Sequence, residues 1–333
     1  MRVVVSGAAA ISLLTSEHVH KLHRLIGFAC ETRHTIIFNP PNCLEEWLMQ
    51  IDEPSANAYR KALDMSARAA ALLAADTSQV TISAGVESSW GDPVAILEVD
   101  DAIRLLEEPL GILVENGEND WQFLMGLMRQ SEKERVTDAI VRRWVQVLHG
   151  GGQTLSSEML RRLTYKSSGL RTFVVFDSDR RHPSELENAW APTGQVSCTG
   201  YGFEQIAKVE MPGRYWMLKR RFIESYMPQE ELAAAVSGNV PPDAVTAYFR
   251  MNEAARWYYN MKKGFAGDDT PENGHRSQAL FATLSADEKA ALRTGFGRRM
   301  AERYAQASQR AFNWDAAARE EAGQMLPKML RLI

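Results

Sequence analysis

Two stretches decide how this chain folds: Gly111-Ile-Leu-Val-Glu115-Asn-Gly-Glu-Asn-Asp120 and Thr172-Phe-Val-Val-Phe-Asp177-Ser-Asp179. Each is a short apolar run, more strand than helix in length, that stops abruptly at a carboxylate. Comparable runs stand at residues 145–148 and 206–209, and helix-length segments at 120–128, 136–144 and 156–163 lie between them. Nearly continuous apolar strands alternating with helices predict an α/β domain whose parallel sheet is covered on both faces. Right-handed crossovers then bring every strand's C-terminal end to one edge, beyond which such sheets bind ligands.

The carboxylates fall at that edge. An ionised carboxylate is costly to bury without a partner, so Glu115, Asp177 and Asp179 must emerge at the strand tips or be paired. Like charges gathered there raise one another's proton affinity unless a cation sits among them. Hard oxygen donors suit Mg2+ or Mn2+ and not zinc. Taken singly, each motif reads better as a structural device, Asp-x-Asp after a strand being a helix cap or an Asx turn; the two at matching strand ends favour a metal site.

Outward from this core, residues 1–108 read as an N-terminal α/β module. It has a strand at Val3-Val4-Val5, a helix at 16–30, a strand at 34–38 and a break at Pro40-Pro41. An Ala-rich helix at 59–75 and strand-like runs at 80–83 and 94–99 follow. Residues 228–333 read as a helical region, with helices at 243–263, 285–306 and 316–332 and a polar loop at 267–274; Ser285-Ala-Asp-Glu288 has the form of a capping box. The 333 residues carry 38 Lys and Arg against 42 Asp and Glu, a net −4. That balance excludes a chain basic all over, but a local basic stripe is enough to meet phosphates. Three cysteines without a CxxC spacing give no disulfide framework or zinc ribbon. No apolar run approaches the ~20 residues of a membrane span. The run at 3–14 reads as a strand entering the Ser6-Gly7 turn in preference to an export signal, so a cytoplasmic location without membrane partners is expected.

Glu115, Gly117 and Asp120 after the first strand, His149-Gly-Gly-Gly152 after the second and Asp177-Ser-Asp179 after the third together resemble the Toprim domain. That family comprises topoisomerase and primase catalytic domains and nucleases of the overcoming-lysogenization-defect type. The resemblance spans residues 109–227, and it departs from the family in placing Asn116 between the Glu and the Gly. A second segment, Tyr215-Trp-Met-Leu-Lys-Arg-Arg-Phe-Ile-Glu-Ser-Tyr-Met-Pro228, is similar to the Lys/Arg-rich stretch leading into Ile-Glu-Asn-Tyr in Toprim-type proteins of bacterial defence systems.

The resemblance implies a Toprim-like parallel-sheet core with Glu115, Asp120, Asp177 and Asp179 gathering magnesium or manganese beside a phosphodiester. Lys219 and Glu224 join them as catalytic groups, and Arg180, Arg181, Arg220 and Arg221 meet the nucleic acid. Read as a helix, the second segment carries Lys219, Arg220 and Arg221 on one turn and Glu224 one turn later. On residue pattern alone, an i, i+4 pair of Arg220 and Glu224 on a solvated face is the better reading; with the resemblance the two stand level. The implied function is a metal-dependent nuclease acting on DNA or RNA, an effector of anti-phage defence. The alternative is a Toprim-fold binding or regulatory subunit working through a larger partner such as an ATPase, alone or as an oligomer. A nucleotide-binding α/β enzyme stands third.

Other motifs carry less. His18, His20 and His23 read as an exposed helix face, and His182 as a polar loop residue. Tyr248-Phe249 and Trp257-Tyr258-Tyr259 read as core aromatics, or with Lys262-Lys263 as a stacking and phosphate-binding surface. Neither a P-loop, a serine nucleophile elbow nor an HExxH motif is present.

Overall fold

The computed structural model describes every residue except 74–76, 193–197, 237–239, 242, 269–278 and 308–309. Two four-stranded parallel sheets organise the α/β chain. The first contains β1 (Arg2–Ser6), β2 (Thr35–Asn39), β3 (Gln79–Ile82) and β4 (Val94–Leu97) in the order β2-β1-β3-β4. Five helices accompany it: α1 (Gly7–Leu13), α2 (Val19–Cys30), α3 (Glu45–Leu48), α4 (Glu53–Leu72) and α5 (Val99–Glu107). The second contains β5 (Leu110–Val114), β6 (Val145–His149), β7 (Thr172–Phe176) and β8 (Tyr215–Met217) in the order β6-β5-β7-β8. Between its strands run α6 (Asn119–Leu127), α7 (Gln130–Val141), α8 (Leu155–Leu163), α9 (Lys166–Leu170) and α10 (Thr199–Glu210).

β5 and β7 are buried at all five positions, as unbroken apolar runs between two helix layers must be. On one face Leu113, Val174 and Phe176 pack against Met159 of α8 and Phe203 and Ala207 of α10. On the other, Ile112, Phe173 and Val175 join a larger cluster with Phe123 of α6 and Val136 of α7. Residues 228–333 complete that second layer, contributing Tyr248, Tyr259, Tyr304 and Trp314. The chain therefore leaves β5 toward one face and β7 toward the other, and a crevice opens between their carboxyl ends.

Four local expectations change. Residues 206–209 are not a strand: they lie in α10, where Phe203, Ala207 and Met211 recur at helical spacing and are buried while Val209 is exposed. A four-residue apolar window does not separate the two periods, and the fourth strand is β8. Residues 215–228 are not a helix, because β8 pairs with β7 and the chain then bends into a 3-10 turn, Ile223–Tyr226. Residues 243–263 divide into α12 (Ala244–Arg250) and α13 (Glu253–Tyr258), with α11 (Gln229–Ala235) before them. The Asn252 side chain accepts from the Ala255 N–H at 2.8 Å and starts α13 afresh. Residues 285–306 hold the helix Ala286–Ala291, capped by Ser285 and Glu288 as expected, and a 3-10 turn, Met300–Gln306. Gly295 and Gly297 separate the two at φ +69° and +95°, outside the helical region. The expected helix end at 74–75 and the loop at 269–274 lie outside the described residues. No helix among the described residues is long and apolar enough to cross a membrane.

The last helix, Ala316–Leu330, reaches the second sheet through a buried carboxylate. Glu321 accepts from the Trp216 indole (2.8 Å), the Lys219 N–H (2.9 Å) and the Tyr226 hydroxyl (2.7 Å). It thereby ties β8 to the turn after it. Removing it strands three donors, two of them on buried side chains, so Glu321→Ala should lower unfolding stability by about 3 kcal/mol or more. Tyr226→Phe removes two hydrogen bonds, the one to Glu321 and the one from the Arg220 N–H (3.2 Å), but leaves Glu321 its other two donors, so it should cost less, about 2 kcal/mol. Urea denaturation of both variants checks the ranking.

Candidate functional site

The crevice between β5 and β7 opens into a cleft of 790 Å³. Glu115 leaves the tip of β5, and its Oε1 accepts from the Asp177 N–H at 2.8 Å, so the first carboxylate reaches across to the end of β7. Asp177 Oδ1 accepts in turn from the Ile223 N–H at 2.9 Å. Asp120, in the first turn of α6, accepts from the Asn116 N–H at 2.8 Å. The Asn116 side chain accepts from the N–H groups of Glu118 and Asn119 at 3.0 and 3.1 Å, so the inserted Asn is the pivot of the turn into α6. Glu224, only 2% exposed, comes from the 3-10 turn after β8; its Oε2 has no hydrogen-bond partner.

Lys262 lies among these acids. Its Nζ stands 3.7 Å from Asp177 Oδ2, 3.5 Å from Glu224 Oε1 and 4.4 Å from the centre of the Phe222 ring. Burial alone would lower its proton affinity, but the charges of Glu224, Asp177, Glu115 and Asp179 outweigh burial and hold the ammonium firmly protonated. The carboxylates move the opposite way. Burial, with the Asp179 charge next, pushes Glu115 up to about 8; burial, reinforced by Glu224, pushes Asp120 up to about 7. Burial likewise holds Asp177 well above the usual carboxylate range, against the pull of Lys262.

Glu115, Asp120, Asp177 and Glu224 therefore line one cleft; Asp179 is outside its lining, but close enough for its charge to act on Glu115 and Lys262. Asp179 sits in the left-handed region (φ +55°) and accepts from the Gly200 N–H of α10 at 3.0 Å, as a helix-anchoring acid. A Cβ on Gly200 would lie 2.4 and 2.5 Å from the carbonyl oxygens of Ser178 and Asp177. Glycine is thus required for α10 to start this close to the tip of β7.

Most of the expected basic residues serve the frame. Arg220 is buried, donates to both oxygens of Asp315 at 2.6 and 2.8 Å and lies over Tyr226; it does not pair with Glu224. Arg180 is buried against Glu204, Trp190 and Tyr201. Neither is available to a nucleic acid without breaking a buried ion pair, which corrects the expected role of both. Arg221 lines the cleft but is held in a bidentate pair with Asp268. Lys219 is exposed and outside the cleft lining, its backbone held by Glu321. Arg181 lines the cleft, as do His149, Lys263 and Arg298. His149 Nδ1 accepts from the Gly117 N–H at 2.9 Å, which joins the tip of β6 to the turn after β5. Gly151 and Gly152 both adopt positive φ beside it.

The acids in the cleft offer only oxygen, and Glu224, which lines it, keeps one buried oxygen without a partner. That donor set fits a hard divalent cation. Among the described residues no three His, Cys, Asp or Glu side chains already stand as a group around one ion position; the acids surround an ammonium instead. Comparison with protein-family models, characterised proteins and solved structures finds no match for this chain.

Raised carboxylate pKa values make stability depend on pH. The unfolded acids lose protons near pH 4, whereas folded Glu115 and Asp120 keep theirs to about 8 and 7. Across that interval the folded state binds more protons, so stability falls as pH rises and levels off only above the Glu115 value of about 8. Metal-free protein should therefore melt at progressively lower temperature from about pH 5 to about pH 8. Added Mn2+ should raise the melting temperature more at the alkaline end. A flat or rising metal-free profile would contradict this account.

Proposed function

We propose that this cleft is the catalytic site of a Toprim-like, metal-dependent nuclease that hydrolyses phosphodiesters of DNA or RNA. The observation that carries the reading is the Glu115–Asp177 bridge across β5 and β7, with Asp120 and Glu224 beside it. An all-oxygen acidic cluster stands at the crevice of a parallel sheet, and Arg181, Lys263 and Arg298 add positive charge to its lining. The sequence resemblance supplies the family and the expected setting, an effector of bacterial anti-phage defence.

Glu115, Asp120, Asp177 and Glu224 would hold Mg2+ or Mn2+. When bound, such an ion polarises the phosphate, lowers the pKa of an attacking water and steadies the leaving oxygen. The chain's own groups do the rest. The Ile223 N–H fixes one oxygen of Asp177 and leaves the other toward the cleft. Glu115 is oriented by the Asp177 N–H, and Asp120 by the first turn of α6. Lys263, Arg298 and Arg181 would neutralise the backbone phosphates of a strand laid over the cleft.

The test is cleavage by the purified chain of single- and double-stranded DNA and RNA with Mg2+ or Mn2+, against an EDTA control. Asp177→Asn keeps the size of the side chain and removes its charge; it should abolish cleavage while the protein stays folded by circular dichroism. Cleavage at the wild-type rate by this variant would overturn the assignment. Metal-dependent nucleic-acid binding without cleavage would favour a regulatory subunit that works through a partner such as an ATPase.

A further inference from the structure

The way Lys262 is held differs from the other buried ion pairs. Arg220 and Arg221 each grip an aspartate with two short, directed hydrogen bonds. Lys262 makes no contact of that kind with the acids. Its ammonium hangs 3.5 and 3.7 Å from Glu224 and Asp177, beyond the ~2.8 Å of a charge-assisted hydrogen bond, and rests on the Phe222 ring. Electrostatics hold it strongly while geometry holds it weakly. Its side chain is 32% exposed, and four flexible carbons give the ammonium a path toward solvent. The other oxygen of Glu224, Oε2, is buried and unpartnered, so it is left over for a second cation.

From this arrangement we propose that Lys262 is the built-in counter-ion of the acidic cleft, and that a divalent cation binds by displacing it. The inference rests on the reading of the cleft as a metal site and adds how that site is kept and exchanged. A monovalent ammonium and a divalent ion a few ångströms apart repel. The two therefore compete for Asp177 and Glu224. Lys262 keeps the fold intact without metal and sets the metal affinity low, so that loading depends on the free ion concentration.

The experiment is calorimetric titration of the full-length protein with Mn2+, for wild type, Lys262→Met and Lys262→Arg. Lys262→Met removes the competing charge at nearly constant volume and should bind Mn2+ about tenfold more tightly or better. It should also melt lower than wild type without metal and regain that loss with Mn2+. Lys262→Arg keeps the charge, and its guanidinium can fork onto both carboxylates, so Mn2+ should bind several-fold more weakly. If Lys262→Met does not fold, the arginine variant decides alone: affinity equal to or above wild type overturns the proposal. Mn2+ bound equally by wild type and Lys262→Met overturns the exchange but leaves the metal site standing. No Mn2+ bound by any of the three overturns the metal reading of the cleft as well.

Discussion

The carboxylates of Glu115, Asp120, Asp177 and Glu224 share a cleft with the Lys262 ammonium, and much of the surrounding structure exists to keep them there. When ionised, carboxylates at such separations repel, and three of the four are steadied by a donor fixed by the backbone. Glu115 has the Asp177 N–H, Asp177 has the Ile223 N–H and Asp120 has the Asn116 N–H. The turn that supplies Ile223 and Glu224 has little regular structure of its own. Glu321 holds its approach and its Tyr226, while Arg220 spans from Ser225 to Asp315 at the start of the last helix. The C-terminal helical region is thus part of the site's support, though it lies far away in sequence.

What was legible in the sequence is what short-range physics controls. The runs that became β5 and β7 were readable because a strand buried on both faces must be apolar throughout, and because a carboxylate at its end has few ways to be tolerated. The convergence of Glu115 and Asp177 follows from parallel topology alone. The window at 206–209 failed because four apolar residues fit either period, and only the exposure of Val209 in three dimensions separates them. Asp179 illustrates a different limit. Its backbone is left-handed, and its carboxylate accepts from the Gly200 N–H of α10, 21 residues on, a long-range contact that neither a local cap nor an Asx turn describes.

Lys262 and the arginines show why long-range electrostatics stay hidden. Nothing in the local pattern around Lys262 says that its charge answers Asp177 and Glu224. It sits beside aromatic residues that the sequence suggests as core, and Tyr259 does lie in the core. Conversely, Arg180, Arg220 and Arg221 looked like a phosphate-binding run because their partners are distant. Glu204, Asp315 and Asp268 neutralise them one by one. A basic cluster in sequence is a basic surface only if the fold leaves it unpaired.

The two sheets share one strand order, with the first strand of each flanked by its second and third. Yet Ser6 and Ser83 follow the cores of β1 and β3, where Glu115 and Asp177 follow β5 and β7. Ser6 spends its hydroxyl on the first turn of α1. The strand tips of the first sheet thus carry hydroxyls where those of the second carry acids. One parallel frame is built twice in a single chain, and only the second copy ends its central strands in carboxylates.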